Sequence, residues 1–209
     1  SSLKETYYGE SVVQGVPTIG MQRNLIEAYY PEGTRLMMFD DDLTGVKKKD
    51  GDKLVEIEDL EEEIIVRGFN EAAQIGSKIF GIYAASNAYF MKDRIYSKLC
   101  YIIGSCFGII TERNDFLRRV TNHGEDYEYS IRQYILNGVL CRLDNYTVIS
   151  NYYKEEGGLQ TVRTKEYVYS SIKKIESMFP EYCKMYIRKS TGNAELRLKD
   201  RSGNKKQES

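Results

Sequence analysis

The stretch Arg35-Leu36-Met37-Met38-Phe39-Asp40-Asp41-Asp42 decides how this chain is read. Four apolar residues in a row have the length and character of a buried strand, and three consecutive carboxylates then terminate it. Clustered carboxylates at a strand end are a poor way to build a core and a good way to hold a divalent cation. In open α/β sheets, ligands collect where strands end at their carboxyl side. Hard oxygen ligands of this kind select Mg²⁺ or Mn²⁺, and such ions usually bring phosphate with them. A plain acidic turn explains the triplet equally well in isolation, so its surroundings carry the argument.

Upstream, Val12-Val13 reads as a short extended piece, followed by Gly15-Val16-Pro17 and Gly20. Residues 21–30 show helical spacing, with Leu25, Ile26 and Tyr29 on one side, and Pro31-Glu32-Gly33 ends that helix. Strand, helix and strand in this order form a small β-α-β unit, which predicts the α/β class: a mixed, mostly parallel central sheet flanked by helices in a single domain.

Downstream, residues 45–53 hold four lysines and read as a mobile loop beside the carboxylates. A strong helix follows, in which Ile57, Leu60, Ile64, Phe69 and Ala72 recur at steps of three, four or five, with Glu58, Glu61 and Glu62 opposite. Residues 78–85 read as a strand ending at Ser86-Asn87, and 101–103 and 107–110 as two more, broken by Gly104-Ser105. The loop Thr121-Asn122-His123-Gly124-Glu125-Asp126 opens a helix to about Asn137, and 139–150 returns extended. Gly157-Gly158 lies in a loop, 167–178 is helical, Pro180 breaks it, and 185–188 is the last expected strand. Residues 1–201 thus form one domain and 202–209 a frayed polar tail.

The composition excludes several classes. A net charge of -1 supplies no global basic field, so any nucleic-acid binding needs a local basic face. Hydrophobic residues at 41% suffice for a core, and 18 tyrosines against no tryptophan suit polar clefts, because the ring packs while the hydroxyl bonds. Cys100, Cys106, Cys141 and Cys183 form no CxxC pair, which argues against zinc and for buried thiols in a reducing compartment. No apolar run approaches the roughly 18 residues of a membrane span, and no signal peptide precedes the fold, so the expectation is a soluble, cytoplasmic protein.

Four constellations carry chemistry. Asp40 and Asp42, two apart on a continuing strand, would share a face, with Asp42 the direct metal ligand and Asp40 a contact to the metal's water shell or a ribose. Gln22-Arg23-Asn24 opens the preceding helix, where a guanidinium gives a planar grip on phosphate; a surface arginine is the plainer alternative. Glu125 and Asp126 start a later helix. Carboxylates there commonly serve the helix dipole, but one of them also suits a general base that takes a proton from an acceptor hydroxyl. His123, the one histidine, ligates metal, binds phosphate, or fills the loop. Weaker signals are Asn87 as a sugar contact and Gly157-Gly158 for close backbone approach. Lys47, Lys48 and Lys49, with Arg113, Arg118 and Arg119, are cations that could meet acceptor phosphates; a solvated surface is the plainer reading of both sets.

Taken in order, Gly20-Met21-Gln22-Arg23-Asn24, then Phe39-Asp40-Asp41-Asp42, Ser86-Asn87 and Gly124-Glu125-Asp126-Tyr127 resemble the glycosyltransferase A fold over residues 15–158. Members place a DxD-type motif after a central strand and a carboxylate base in a later Glu-Asp segment at a helix start. With Ser130-Ile131-Arg132 and Gly157-Gly158 added, the pattern most resembles the TET/JBP-associated glycosyltransferases, a group linked to sugar transfer onto hydroxymethylated pyrimidines in DNA. The resemblance implies a Mn²⁺- or Mg²⁺-dependent hexosyltransferase using a nucleotide sugar such as UDP-glucose. Asp40, Asp42 and His123 would hold the metal. Arg23, Asn24, Asp40, Asp41 and Asn87 would hold the donor, Lys47, Lys48, Gly157 and Gly158 the acceptor, and Asp126 with Glu125 would do the catalysis. The chain departs from the family at its start: only about ten residues precede Val12-Val13, so the nucleotide-binding part is shortened.

Three alternatives stand beside this reading. A viral or bacterial transferase of the same fold, acting on a protein or glycan inside a host or producing cell, shares most of the features. A non-catalytic sugar-nucleotide-binding module would keep the fold without turnover, although such sites usually lose their carboxylates first. A metal-dependent nucleotidyl- or phosphotransferase also uses clustered aspartates but ordinarily grips phosphate with a loop such as GxxxxGK, which is missing from this sequence.

Overall fold

The computed structural model describes residues 15–150 and 164–199. Val12-Val13, Gly157-Gly158 and the polar tail lie outside the described residues.

Helix α1 (Ile19–Tyr29) is capped by the Thr18 side chain and leads into β1 (Arg35–Phe39). Strands β2 (Leu43–Asp50) and β3 (Lys53–Glu56) come next. A π-helical stretch, Glu61–Val66, runs into α2 (Arg67–Ile75). Then follow β4 (Ile79–Tyr83), the two-residue β5 (Ile95–Tyr96), β6 (Cys106–Ile110), α3 (Glu125–Asn137) and β7 (Cys141–Ser150). Helix α4 (Lys165–Met178) and the hairpin β8 (Cys183–Ile187) and β9 (Ala194–Leu198) complete the described chain.

The main sheet has the order β1-β6-β4-β7-β2-β3, with β5 also paired to β7. It is mixed, as expected, but mostly antiparallel, which corrects the expectation of a mostly parallel sheet. Among the described residues β4 and β7 are the one parallel pair, and every other neighbour is antiparallel. The local reason is β6, which lies between β1 and β4 and runs against both. Strands β1, β4 and β7 therefore point the same way. Their carboxyl ends share one edge of the sheet with the start of β6, and this edge carries Asp40–Asp42.

Both faces of the sheet are covered. Ile79, Phe107 and Ile109 face a core shared with Ile131 of α3 and with Val168, Ile172 and Ile175 of α4. Phe80, Ile82, Leu143 and Val148 face a second core with Ile64, Phe69 and Ala72. Burial on both sides explains the continuous apolar run of β4. Phe80 is seated by two glycines, since a Cβ on Gly68 or Gly108 would fall 2.2 or 2.1 Å from its ring.

Other expectations change for physical reasons. Residues 45–53 are a β-hairpin, not a mobile loop: Asp50 pairs with Lys53 across Gly51-Asp52, and Gly51 takes the left-handed φ of 55° that such a turn needs. The helix expected from Ile57 begins later and starts as a π-helix, the geometry matched by the five-residue step from Ile64 to Phe69. Residues 101–103 are not a strand. The Ile102 amide instead donates to the Ser130 hydroxyl of α3 at 3.1 Å. The strand at 185–188 is not the last, because β9 pairs with it. Among the described residues no helix is long and apolar enough to cross a membrane.

Candidate functional site

The acidic triplet leaves β1 in a turn. The Asp40 amide donates to the Ser105 carbonyl at 3.0 Å, fastening the triplet to the loop before β6, and the Leu43 amide reaches back to the Asp40 carbonyl at 3.4 Å. Strand alternation therefore does not place these side chains. Asp42 is nevertheless close enough to Asp40 to raise its pKa, as does Asp126 from across the sheet edge. Burial is the larger cause of the rise, and Arg23 opposes it. Asp41 is exposed.

Arg23 is the hub of this edge. It is only 5% exposed, although it stands in a surface helix. Its guanidinium donates to Asp40 Oδ1 at 2.8 Å, to the Gly104 carbonyl at 2.6 Å and to Glu125 Oε1. Gly104 leaves room for it, since a Cβ there would lie 2.3 Å from Arg23 Nη1 and would displace the guanidinium. One side chain thus ties α1, the carboxylate turn, the 104–105 loop and the start of α3 together.

Behind it sits Arg119, which is fully buried. It pairs with Glu27 at 2.6 Å and Glu125 at 2.9 Å, and its guanidinium lies 3.4 Å from the centre of the Tyr129 ring. Asn24 clamps the same residue, donating to the Arg119 carbonyl at 2.9 Å and accepting its amide at 3.0 Å. Glu128, also buried, accepts from the Val120 and Thr121 amides, the Thr121 hydroxyl and Arg132, and so shapes the loop that carries His123.

Glu125 and Asp126 are neighbours with different environments. Glu125 is held between Arg23 and Arg119, and burial pushes its pKa up to about 7 against the pull of both guanidiniums. A carboxyl whose folded pKa lies above its unfolded value keeps its proton longer in the folded state. Folding stability from Glu125 therefore falls as pH rises from about 4.5 to about 7. The thermal midpoint is expected to drop over that interval, and Glu125→Gln is expected to flatten the drop. Unfolding curves at pH 5 and pH 7.5 check this.

Asp126 is half-buried and faces the carboxylate turn. Its Oδ2 accepts from the Tyr101 hydroxyl and, at 3.4 Å, from the Gly104 amide; its Oδ1 accepts its neighbour's amide, from Tyr127, at 2.9 Å. The structure therefore brings Arg23, Asp40, Asp42, Glu125 and Asp126 together at one edge, from segments up to 102 residues apart.

The remaining candidates are placed differently. Asn24 has its amide occupied by the Arg119 backbone. Asn87 is exposed after β4, and its side chain caps the Tyr89 amide at 3.0 Å. Lys47 and Lys48 stand in β2, paired to Glu56 at 2.7 Å and Glu63 at 3.6 Å. Arg113, Arg118 and Arg119 do not form one cationic surface, because Arg119 is interior. Among the described residues no three His, Cys, Asp or Glu side chains gather as a metal-holding group, so half-buried His123 does not complete a set with Asp40 and Asp42. Two carboxylates still fit a Mg²⁺-type ion, which commonly takes one or two from the protein and the rest from phosphates and water. A cation bound there would offset the repulsion that Asp42 and Asp126 each exert on Asp40.

Tyr101, Gly104 and the burial of Arg119 escape sequence reading. The Asp126 partner of Tyr101 lies 25 residues away along the chain, the Arg23 partner of Gly104 lies 81 away and the Glu27 partner of Arg119 lies 92 away, and no local spacing marks them. Comparisons with protein-family models, with curated proteins and with solved structures returned no match.

Proposed function

We propose that this protein is a metal-dependent glycosyltransferase that moves a hexose from a nucleotide sugar to a hydroxyl acceptor. The observation that carries the reading is the convergence of Asp40 and Asp42 with Asp126 at the carboxyl ends of parallel-pointing strands. Asp40 and Asp42 would hold Mn²⁺ or Mg²⁺, which when bound neutralises charge on a departing nucleoside diphosphate. Arg23 keeps Asp40 in place and holds Glu125, so its role is to organise the carboxylates rather than to grip free phosphate. Asp126 is the base: it takes the proton of the acceptor hydroxyl as that oxygen attacks the anomeric carbon. Glu125, locked between two arginines, serves as a fixed support for the start of α3. The resemblance of the motif order to transferases acting on hydroxymethylated DNA pyrimidines supports a DNA acceptor, and a glycan or protein hydroxyl is the competing choice.

The test is slow hydrolysis of UDP-glucose with Mn²⁺, water standing in for the acceptor. Asp42→Ala is expected to lower the rate at least about 100-fold, a loss of the size seen when one electrostatic contributor to a transition state is removed. Absence of turnover with every sugar nucleotide would favour a binding module. Transfer confined to glycan acceptors would remove the DNA reading.

A further inference from the structure

The proposed base does not stand alone. Tyr101 lies in a segment that runs along α3 instead of joining the sheet, bolted to it by two bonds that a third, within the helix, links together. Its hydroxyl meets Asp126 Oδ2, the Ile102 amide donates to Ser130 Oγ at 3.1 Å, and Ser130 Oγ in turn donates to the Asp126 carbonyl at 2.7 Å. The Tyr101 ring stacks on Tyr127, the next residue of α3, with centroids 4.0 Å apart and planes at 19°. Its backbone carbonyl accepts from Arg142 Nη1 at 3.2 Å, and Arg142 is itself fixed by the buried Asp144 at 2.6 Å. A tyrosine held at ring, hydroxyl and backbone has little freedom, and neither does the carboxylate that it grips.

We propose that Tyr101 is a positioning residue for catalysis: its hydroxyl, with the more distant Gly104 amide at 3.4 Å, holds Oδ2 of Asp126, so that Oδ1, which accepts the Tyr127 amide at 2.9 Å, presents its second lone pair to the acceptor proton. This deepens the glycosyltransferase reading and rests on it. In the step, the acceptor O–H proton passes to Asp126 Oδ1 and the acceptor oxygen bonds to the anomeric carbon. The bond from that carbon to the diphosphate oxygen breaks, its electron pair leaving with the nucleoside diphosphate. Tyr101 keeps its own proton throughout, and burial, which raises its pKa well above the ordinary phenol range, keeps it a donor. A carboxylate free to turn would spend part of its time facing away from the acceptor, and small misplacements of a reacting group are costly in rate.

The test is Tyr101→Phe, which keeps the stacked ring and removes only the hydroxyl. With UDP-glucose and Mn²⁺, kcat for hydrolysis is expected to fall about 10- to 100-fold while KM for the donor stays within about twofold. A crystal structure of the variant is expected to show the Asp126 carboxylate in more than one orientation. An unchanged kcat, a loss appearing only in KM, or a single unaltered Asp126 orientation overturns the proposal. The crystallographic arm needs no turnover, so it distinguishes a failure of this proposal from a failure of the transferase assignment. In the latter case wild type itself is inactive with every donor.

Discussion

Asp126→Asn is expected to reduce sugar transfer about 100- to 10,000-fold, the range a positioned general base contributes. Asparagine is nearly isosteric: its Oδ1 can still accept the Tyr127 amide, and its NH2 can donate to the Tyr101 hydroxyl oxygen in place of the bond that Oδ2 accepts, so the start of α3 should persist. What it lacks is a lone pair basic enough to remove a hydroxyl proton. The loss should therefore appear in kcat, with KM for the nucleotide sugar nearly unchanged. Steady-state kinetics with far-UV circular dichroism as a folding control measure this. A variant with full activity would remove Asp126 from the chemistry and leave it a helix-terminus residue.

The second large effect concerns stability. Arg119→Met is expected to cost about 3–5 kcal/mol, because it removes the cation that compensates buried Glu125 and half-buried Glu27. It also removes the guanidinium stacked on Tyr129. Arg118, next to it, is exposed, and Arg118→Met should change stability by no more than about 0.5 kcal/mol. Urea unfolding of the two variants makes the comparison directly. Equal, small effects would mean that Arg119 is a surface residue like its neighbour.

That contrast also shows where sequence reading stops. Arg118 and Arg119 have the same side chain and adjacent positions, so local pattern treats them alike. Only the fold, which brings Glu27 and Glu125 to one of them, separates interior from surface. The strand Arg35–Phe39 was legible because apolar residues and carboxylates change over abruptly at Phe39-Asp40. Helix α3 was legible from Gly124 to Asn137, since a left-handed glycine bounds it at each end. The pair β8–β9 is half legible: Ala194-Glu195-Leu196-Arg197-Leu198 alternates as a strand does, but its five residues follow a polar turn and carry no apolar run like that of β1.

Strand direction was not legible. Helix α1 followed by β1 resembles half of a parallel crossover unit, but the neighbour that β1 acquires is β6, from about 70 residues later, running the other way. No local period encodes that choice. Likewise the lysine-rich segment looks like a loop by composition, whereas its pairing to β7 and the glycine turn make it a hairpin. At the site, Asp40, Asp42 and Asp126 were identifiable as carboxylates in suggestive places. Their convergence depends on Arg23, whose burial nothing in Gln22-Arg23-Asn24 announces.

The most direct measurement is a crystal structure with Mg²⁺ and UDP-glucose bound. The account predicts Mg²⁺ about 2.1 Å from carboxylate oxygens of the Asp40–Asp42 turn, with the diphosphate completing its coordination and the sugar lying toward Asp126. A donor whose diphosphate binds elsewhere on the protein, leaving Asp40 and Asp42 in solvent, would contradict it.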